Sequence, residues 1–302
     1  QLGGALLLHG AAFALALAAY RAAPALGAIA SLPVAALMVR LFILQHDCGH
    51  GSFFPEPRRN RWTGRALALL TFTPFAYWRR FHALHHATSG RLDRRGEFDF
   101  RTLTVREYRA LGPAARLGYR IYRHPAMLFG LMPPLAFLVA YRLPWSAPRG
   151  WRRERHSIVL TDAALLAFWG AAGWLAGWAA VATITGTAIL VASCGGFWLF
   201  FVQHQFEQGY WAGPAGWAFE AAGLHGSSCL QLPPLFRWIT GDIGVHHLHH
   251  LDPRIPNYRL RECDAAHRHL PGVHRFGWRD GLRCTRLALW DEAAGRMVPL
   301  PA

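Results

Sequence analysis

Four long apolar segments dominate the hydrophobic pattern of the chain. Each carries little or no charge and is close to the length of about 20 residues that an apolar helix needs to cross a bilayer. These segments are residues 2–20, 25–44, 158–180 and 181–203. Two shorter apolar segments, 66–78 and 126–141, contain prolines, so we expect them to lie at the membrane interface or to enter and return.

Histidines cluster where apolar segments meet polar ones, in three groups that we call box 1, box 2 and box 3. They read H-D-C-G-H from His46 to His50, H-A-L-H-H from His82 to His86, and H-H-L-H-H from His246 to His250. Positions i, i+3 and i+4 of a helix share one face, so the histidines of each box are predicted to point the same way. Such groups beside membrane helices indicate a functional site.

The boxes can share metal ions only if all three lie on the same side of the membrane. The number of crossings between any two boxes must then be even. The arginine group at 149–155, typical of the cytoplasmic side, follows 126–141, and Pro133-Pro134 breaks that segment. We therefore expect 126–141 not to cross, which leaves four crossings with the termini and the site in the cytoplasm.

The number of histidines indicates two metal ions. One zinc ion is saturated by four ligands, so the eight imidazoles on the shared faces of the boxes exceed its needs. Two first-row metals are the simpler account, and iron is favoured for oxygen chemistry. The last apolar segment ends near His204, which is predicted as a ninth ligand. The predicted ligands are His46, His50, His82, His85, His86, His204, His246, His249 and His250.

Four further residues are predicted to support these ligands. A metal-bound imidazole donates its second ring N–H to a carboxylate or carbonyl, and Asp47, Asp242 and Asp252 lie near the boxes in sequence. His247 lies one residue off the face of box 3. Surface ion pairs with neighbouring arginines are the alternative role for the acids. No catalytic residue beyond the metal ligands is predicted.

Composition narrows the function classes. The formal net charge of +15 comes from arginine alone, without lysine, but the basic residues do not form blocks interleaved with aromatics, so nucleic-acid binding is not expected. The five cysteines show no C-x-x-C pair, which favours free thiols. The aromatic residues within 62–78 and 197–201 are expected either to wall a substrate tunnel or to form an interfacial belt.

These motifs resemble the membrane fatty acid desaturase family, most closely its bacterial and cyanobacterial acyl-lipid branch. The resemblance rests on the three boxes, on L-D-R-R-G after box 2, on D-P-R-I-P-N-Y after box 3 and on V-Q-H-Q-F-E around His204. It covers nearly the whole chain and implies one desaturase domain over 1–302, with a cytoplasmic region over 204–302. One position departs from the pattern, since Asp242 stands where asparagine is expected.

The resemblance implies an all-α integral membrane protein in which about four transmembrane helices carry a cytoplasmic helical cap with a histidine-rich di-iron site. Such an enzyme uses O2 and two electrons to place a cis double bond in the acyl chain of a membrane lipid or thioester. The electrons would come from a ferredoxin or similar protein, and the location would be the bacterial inner membrane. A membrane di-iron hydroxylase and, less favoured, a metal-transport protein are the alternatives.

Overall fold

A computed structural model describes residues 1–301 and is mostly helical. Four helical segments are long and apolar enough to cross a membrane, which confirms the predicted fold class. They are Leu2–Ala22, Pro24–His50, Arg152–Ala176 and Trp178–His204. A bent pair of helices, Pro113–Arg123 and Ala126–Arg142, meets at 55° and passes the same test only when its two halves are counted together.

The helices are α1 Leu2–Ala22, α2 Pro24–Ala30, α3 Leu32–His50, α4 Pro57–Thr71, α5 Phe75–Thr88, α6 Val105–Ala110, α7 Pro113–Arg123, α8 Met132–Leu138, α9 Arg152–Ala176, α10 Trp178–His204, α11 Phe219–His225, α12 Pro234–Thr240, α13 His246–Leu251, α14 Asn257–Ala266 and α15 Trp278–Cys284. A π-helical turn covers Ala126–Leu131, and 3₁₀ turns cover Ala140–Arg142 and Pro144–Ser146. The strands are β1 Leu103–Thr104, β2 Cys229–Gln231, β3 Arg275–Gly277, β4 Leu287–Asp291 and β5 Arg296–Pro299.

The contacts divide the chain into two compact units. Unit 1 comprises Gln1–Arg80, Met132–Gly196 and Trp238–Gly241, and unit 2 comprises Phe81–Leu131, Phe197–Arg237 and Asp242–Ala302. Unit 1 contains α1 to α4, α9 and most of α10. Unit 2 contains most of the histidines and all five strands.

In unit 1, box 1 forms the end of α3. The helix stops because Gly51 adopts the left-handed conformation at φ 77°, and its N–H caps the carbonyl groups of Asp47 and Cys48. His46 and His50 therefore lie on the last turn of an apolar helix. A core of small and branched side chains from α1, α3 and α10, including Ala16, Val34 and Ile184, packs in the same unit.

The third and fourth apolar segments separate at Gly177. The boundary predicted from the sequence pattern, at 180/181, is therefore corrected. Gly177 has φ 96°, a conformation that disfavours side chains, so α9 ends and α10 begins within one residue. Gly173 makes the tight turn possible, because a Cβ there would lie 2.5 Å from the ring of Trp178. The uniformly apolar sequence on both sides of the turn gives no signal for this position.

Segments 66–78 and 126–141 are both irregular. The first contains the end of α4, where Phe72 is left-handed at φ 54°, and the start of α5. The second consists of a π-helical turn, the short α8 and a 3₁₀ turn. Arg142 joins them within unit 1, since its guanidinium donates to the Phe72 carbonyl at 2.7 Å and to Asp162 at 2.6 Å.

Unit 2 contains two small sheets that the sequence analysis did not predict. Strands β1, β4 and β5 form one sheet, whereas β2 and β3 pair in parallel. The strands have at most five residues, too short for a clear alternating pattern. Sheet β2–β3 matters for the site, because the carbonyl of Ser228 just before β2 accepts the first two N–H groups of α13, from His246 and His247.

Candidate metal centre

Four histidines of unit 2 bring their ring nitrogens together. His85 Nε2 lies 3.1 Å from His204 Nε2, and His246 Nε2 lies 3.0 Å from the same atom. His250 joins them, and one nitrogen from each of the four lies within 4.8 Å of the others. All four side chains are buried. We call these residues the four-histidine set.

Three helices position this set. His85 lies on α5, His204 is the last residue of α10, and His246 and His250 lie four residues apart on one face of α13. His204 Nδ1 lies 3.2 Å from the carbonyl oxygen of Gly226. A carbonyl only accepts hydrogen bonds, so Nδ1 carries the proton and the Nε2 lone pair faces the other histidines.

A second group in unit 2 consists of His82, His86 and His249, which we call the three-histidine set. His86 Nε2 lies 3.1 Å from His82 Nε2 and 3.1 Å from His249 Nε2. His82 and His86 share one face of α5, and His249 comes from α13. Thus α5 and α13 each contribute ligand candidates to both sets.

Box 1 offers a further pair of imidazoles in unit 1. The rings of His46 and His50 have centroids 4.7 Å apart. His46 Nδ1 lies 3.2 Å from the Asp47 carboxylate, the kind of contact predicted for Asp47. The ring of Trp78 lies 5.7 Å from that of His46, and Gly49 leaves room for it, since a Cβ at Gly49 would meet Trp78 at 2.8 Å.

The four-histidine set fits a metal ion better than a hydrogen-bonded cluster. His204 Nε2 faces two imidazole nitrogens but can share a proton with only one of them at a time. His250 Nε2 is buried without a hydrogen-bond partner among the residues described. Burial, and then the neighbouring imidazoles, hold the pKa of His250 well below its ordinary value, so its ring is neutral at pH 7. Neutral imidazole is the form that binds metals.

The other predicted supporting acids have arginine partners. Asp242 pairs with Arg237 at 2.7 Å, and Asp252 pairs with Arg254 at 2.8 Å, which is the alternative role considered for both. Asp242 is left-handed at φ 55°. Aspartate and asparagine are both enriched in that conformation, which explains why either residue suits this position.

His247 lies among residues that the sequence analysis missed. Its side chain is 0% exposed, and its Nε2 lies 3.7 Å from the carboxylate of Asp264. Burial is the main reason that the pKa of His247 falls to about 4. Cys229 completes a group of three potential ligands with them, and Arg275 contacts both Cys229 and Asp264. These residues come from four separate elements, so no local spacing could have revealed the group.

Aromatic side chains lie beside the four-histidine set. The Phe200 ring lies 4.9 Å from His85 and 5.5 Å from His204, and Phe100 lies 5.4 Å from Phe200. Trp62, by contrast, is 67% exposed, as expected for a residue of an interfacial belt. The ring contacts of Phe200 agree with either predicted role, whereas the exposure of Trp62 agrees with a place in the interfacial belt.

Comparison with known proteins agrees with this geometry. The family model described as fatty acid desaturase matches residues 22–281. A fatty acid desaturase of Bacillus subtilis is 39% identical over 268 residues, covering 89% of this chain and 76% of the relative. A probable fatty acid desaturase of Sorghum bicolor is 30% identical over 248 residues, covering 74% of this chain and 59% of the relative.

A relative from Synechocystis, an sn-1 acyl-lipid omega-3 desaturase (ferredoxin), is 28% identical over 233 residues, covering 75% of this chain and 63% of the relative. The chain thus spans less than two thirds of the sorghum and Synechocystis proteins. The names of these relatives support desaturation over hydroxylation. The chain belongs to the fatty acid desaturase family, whose members are oxidoreductases, and the predicted resemblance is confirmed.

Proposed function

We propose that this member of the fatty acid desaturase family is an O2-dependent di-iron enzyme that introduces a cis double bond into the acyl chain of a membrane lipid or acyl thioester. The observation that carries the proposal is the convergence of four buried imidazoles from α5, α10 and α13. The overall change removes two hydrogen atoms from adjacent methylenes, and O2, two electrons and two protons become two molecules of water.

In this proposal the four-histidine set holds one iron, and the three-histidine set holds the other. The sequence motifs support His46 and His50 of box 1 as further metal ligands, because the two residues share one helical face and their rings have centroids 4.7 Å apart.

The two irons, when bound, would supply the activation of O2. The residues of this chain hold neutral imidazoles in fixed orientations and exclude water. The carbonyl of Gly226 orients His204, and the carboxylate of Asp47 orients His46. Phe200 covers one side of His85 and His204 with an apolar ring, which supports a dry site for an acyl chain.

We infer that a separate protein supplies the electrons. The name of the Synechocystis relative includes ferredoxin. The net charge of +15 on this chain would attract an acidic partner of that kind. We therefore propose ferredoxin or a similar protein as the electron donor. The four apolar helices indicate a membrane protein, and we propose the bacterial inner membrane with the site facing the cytoplasm.

Product analysis tests this function. The chain is expressed in a bacterial host together with a ferredoxin and its reductase, and the total lipids are analysed by gas chromatography with mass spectrometry. We expect a new monoene or diene whose double-bond position is fixed by derivatisation. A new hydroxy acid would favour the hydroxylase alternative instead, and lipids identical to those of the His85→Ala control would contradict both activities.

A further inference from the structure

One side of α13 carries ligand candidates, and the other carries His247. His246, His249 and His250 belong to the two histidine sets, whereas His247 faces Asp264 of α14. The ring of His247 is fully buried, and neither of its nitrogens makes a hydrogen bond within residues 1–301. A buried imidazole without hydrogen bonds lowers the stability of the fold, so the surroundings of His247 require an explanation.

An ion pair lies behind His247. Arg275 of β3 donates to both oxygens of Asp264, at 2.7 Å and 3.0 Å, in the bidentate arrangement typical of strong arginine–carboxylate pairs. The same guanidinium donates to the sulfur of Cys229 at 3.1 Å. The Asp264 side chain is 10% exposed, so the pair is shielded from solvent on the carboxylate side.

Cys229, His247 and Asp264 have side-chain atoms that could bind a metal ion, but the guanidinium of Arg275 already provides the positive charge beside them. One nitrogen of its guanidinium contacts both the sulfur and the carboxylate, and its charge neutralises Asp264. Burial raises the pKa of the Cys229 thiol to about 11, so the sulfur is neutral beside the arginine. The group is therefore better explained as a structural ion pair than as a third metal site.

The backbone connects this ion pair to the ligands. Cys229 and Arg275 are directly paired in sheet β2–β3, and Cys229 also forms a β-bridge with Val245, the residue before α13. The carbonyl of Ser228 accepts the N–H groups of His246 and His247. The sheet thus fixes where α13 begins, while the contact of His247 with Asp264 fixes how the helix is rotated about its axis.

We propose that the Arg275–Asp264 ion pair, with His247 packed against it, is a positioning device that sets the rotation of α13 and thereby the direction of its three ligand histidines. The inference rests on the proposed metal centre. Helix α13 has only six residues, and a helix this short does not hold its conformation alone. Metal–ligand distances tolerate changes of only about 0.2 Å, so a small rotation would weaken binding.

Cobalt binding tests the proposal without relying on activity. The full-length protein in detergent is stripped of metal, titrated with Co2+ in competition with a chelator, and followed by visible absorption, which reports ligand geometry. Asp264→Asn keeps the shape but loses the charge, and Arg275→Lys keeps the charge but loses the bidentate contact. The control is Glu107→Gln, which weakens another arginine–carboxylate pair of unit 2, that of Glu107 with Arg95.

We expect Asp264→Asn and Arg275→Lys to bind Co2+ at least about tenfold more weakly than the wild type, with an altered spectrum, since loss of residues that orient ligands costs about 10- to 100-fold. Glu107→Gln should keep the wild-type affinity and spectrum even if its melting temperature falls equally. Variants of Asp264 that match Glu107→Gln in both readouts would overturn the proposal.

Two further outcomes keep the conclusions separate. A third Co2+ in the wild type that disappears in Cys229→Ala would overturn the positioning role, because the group would then be a metal site itself. A wild-type protein that binds no Co2+ would contradict the metal centre of the proposed function. By contrast, if the wild type binds two ions while Asp264→Asn and Arg275→Lys keep its Co2+ affinity and spectrum, that result would contradict the positioning device alone.

Discussion

Two polar groups of unit 1, the Arg142 guanidinium and the Gln45 amide, are paired with protein atoms, whereas in unit 2 imidazoles face one another. In unit 1, Arg142 pairs with Asp162 at 2.6 Å, and Gln45 donates to the Thr73 carbonyl at 3.1 Å. In unit 2, His204 Nε2 has two imidazole nitrogens as its close neighbours, at 3.0 Å and 3.1 Å.

The difference separates polar groups that serve the fold from polar groups that serve function. A buried group that finds a donor or acceptor in the protein repays much of the cost of its burial. Acceptors that face acceptors do not, and a cation between them would replace the missing interactions. The contacts of unit 1 named above need no ligand, while the four-histidine set of unit 2 has the arrangement that a metal ion would use.

Loss of a proposed ligand in unit 2 should have the largest effect. We expect His85→Ala to lower desaturase activity more than about 100-fold, because changes to residues that merely orient ligands already cost about 10- to 100-fold. His124→Ala and His269→Ala change exposed histidines and should keep most of the activity. Lipid analysis and immunoblotting of membranes measure product and protein level. An equal loss of activity in all three variants would mean that the division of these histidines into ligands and non-ligands is wrong.

Metal content gives the next largest effect and tests whether unit 1 contributes ligands. The purified wild type should contain close to two irons per chain. His46→Ala should retain close to one, because the four-histidine set takes no ligand from box 1. Elemental analysis together with the melting temperature measures this. Two irons in the variant would exclude His46 as a ligand, and one zinc without iron in the wild type would contradict the di-iron proposal.

The sequence predicts the parts of this molecule that follow a regular period. Mean hydropathy over about 20 residues reveals the apolar helices, and the i, i+3, i+4 spacing within boxes 2 and 3 indicates which histidines share a face. The two sets could not be predicted, because neighbouring residues separate: His85 and His86 belong to different sets, as do His249 and His250. That division depends on how α5 and α13 pack.

Contacts between distant segments were equally beyond prediction. The carbonyl of Gly226 that orients His204 comes from the end of α11, and the Arg275–Asp264 pair joins a strand to a helix. A backbone carbonyl has no signature in sequence. Asp242 and Asp252 show the opposite case, in which nearness in sequence misleads. Both lie close to box 3 in sequence, which suggested that they support its histidines, but in the structure each pairs with an arginine.

A moderate effect is expected at Gly244, which lies two residues before α13. A Cβ at this position would lie 2.5 Å from the carbonyl oxygen of Leu230, a backbone atom that cannot move aside cheaply. We expect Gly244→Ala to lower the free energy of unfolding by about 1–3 kcal/mol, as overpacking does, and to lower iron content by shifting His246. Thermal unfolding in detergent measures the first effect and elemental analysis the second.

Gly213→Ala is the matched control for this variant, since a Cβ there would have open space within 4 Å. It should change neither the melting temperature nor the iron content. If Gly244→Ala matched this control, the close approach of Gly244 to β2 would not be needed for the position of α13.

The smallest effect on activity is expected from a cysteine scan that locates the termini of the spans. In a cysteine-free background, Ser146→Cys and Ala23→Cys should both be as active as that background. Because 126–141 is expected not to cross, the cysteine at position 146 should resist a membrane-impermeant thiol reagent in intact cells and react after permeabilisation. The cysteine at position 23, in the turn after α1, should react in intact cells.

Helix length alone leaves four or five crossings open, and the contacts within unit 2 favour four. With five crossings, the segment from α7 to Arg142 would span, and α9 and α10 would follow with two more crossings. An odd number would then separate His85 of α5 from His204 at the end of α10, so the two residues would lie on opposite sides of the membrane. Their nitrogens lie 3.1 Å apart, which requires an even number. Labelling of position 146 from outside would therefore contradict the four-histidine set itself as well as the topology.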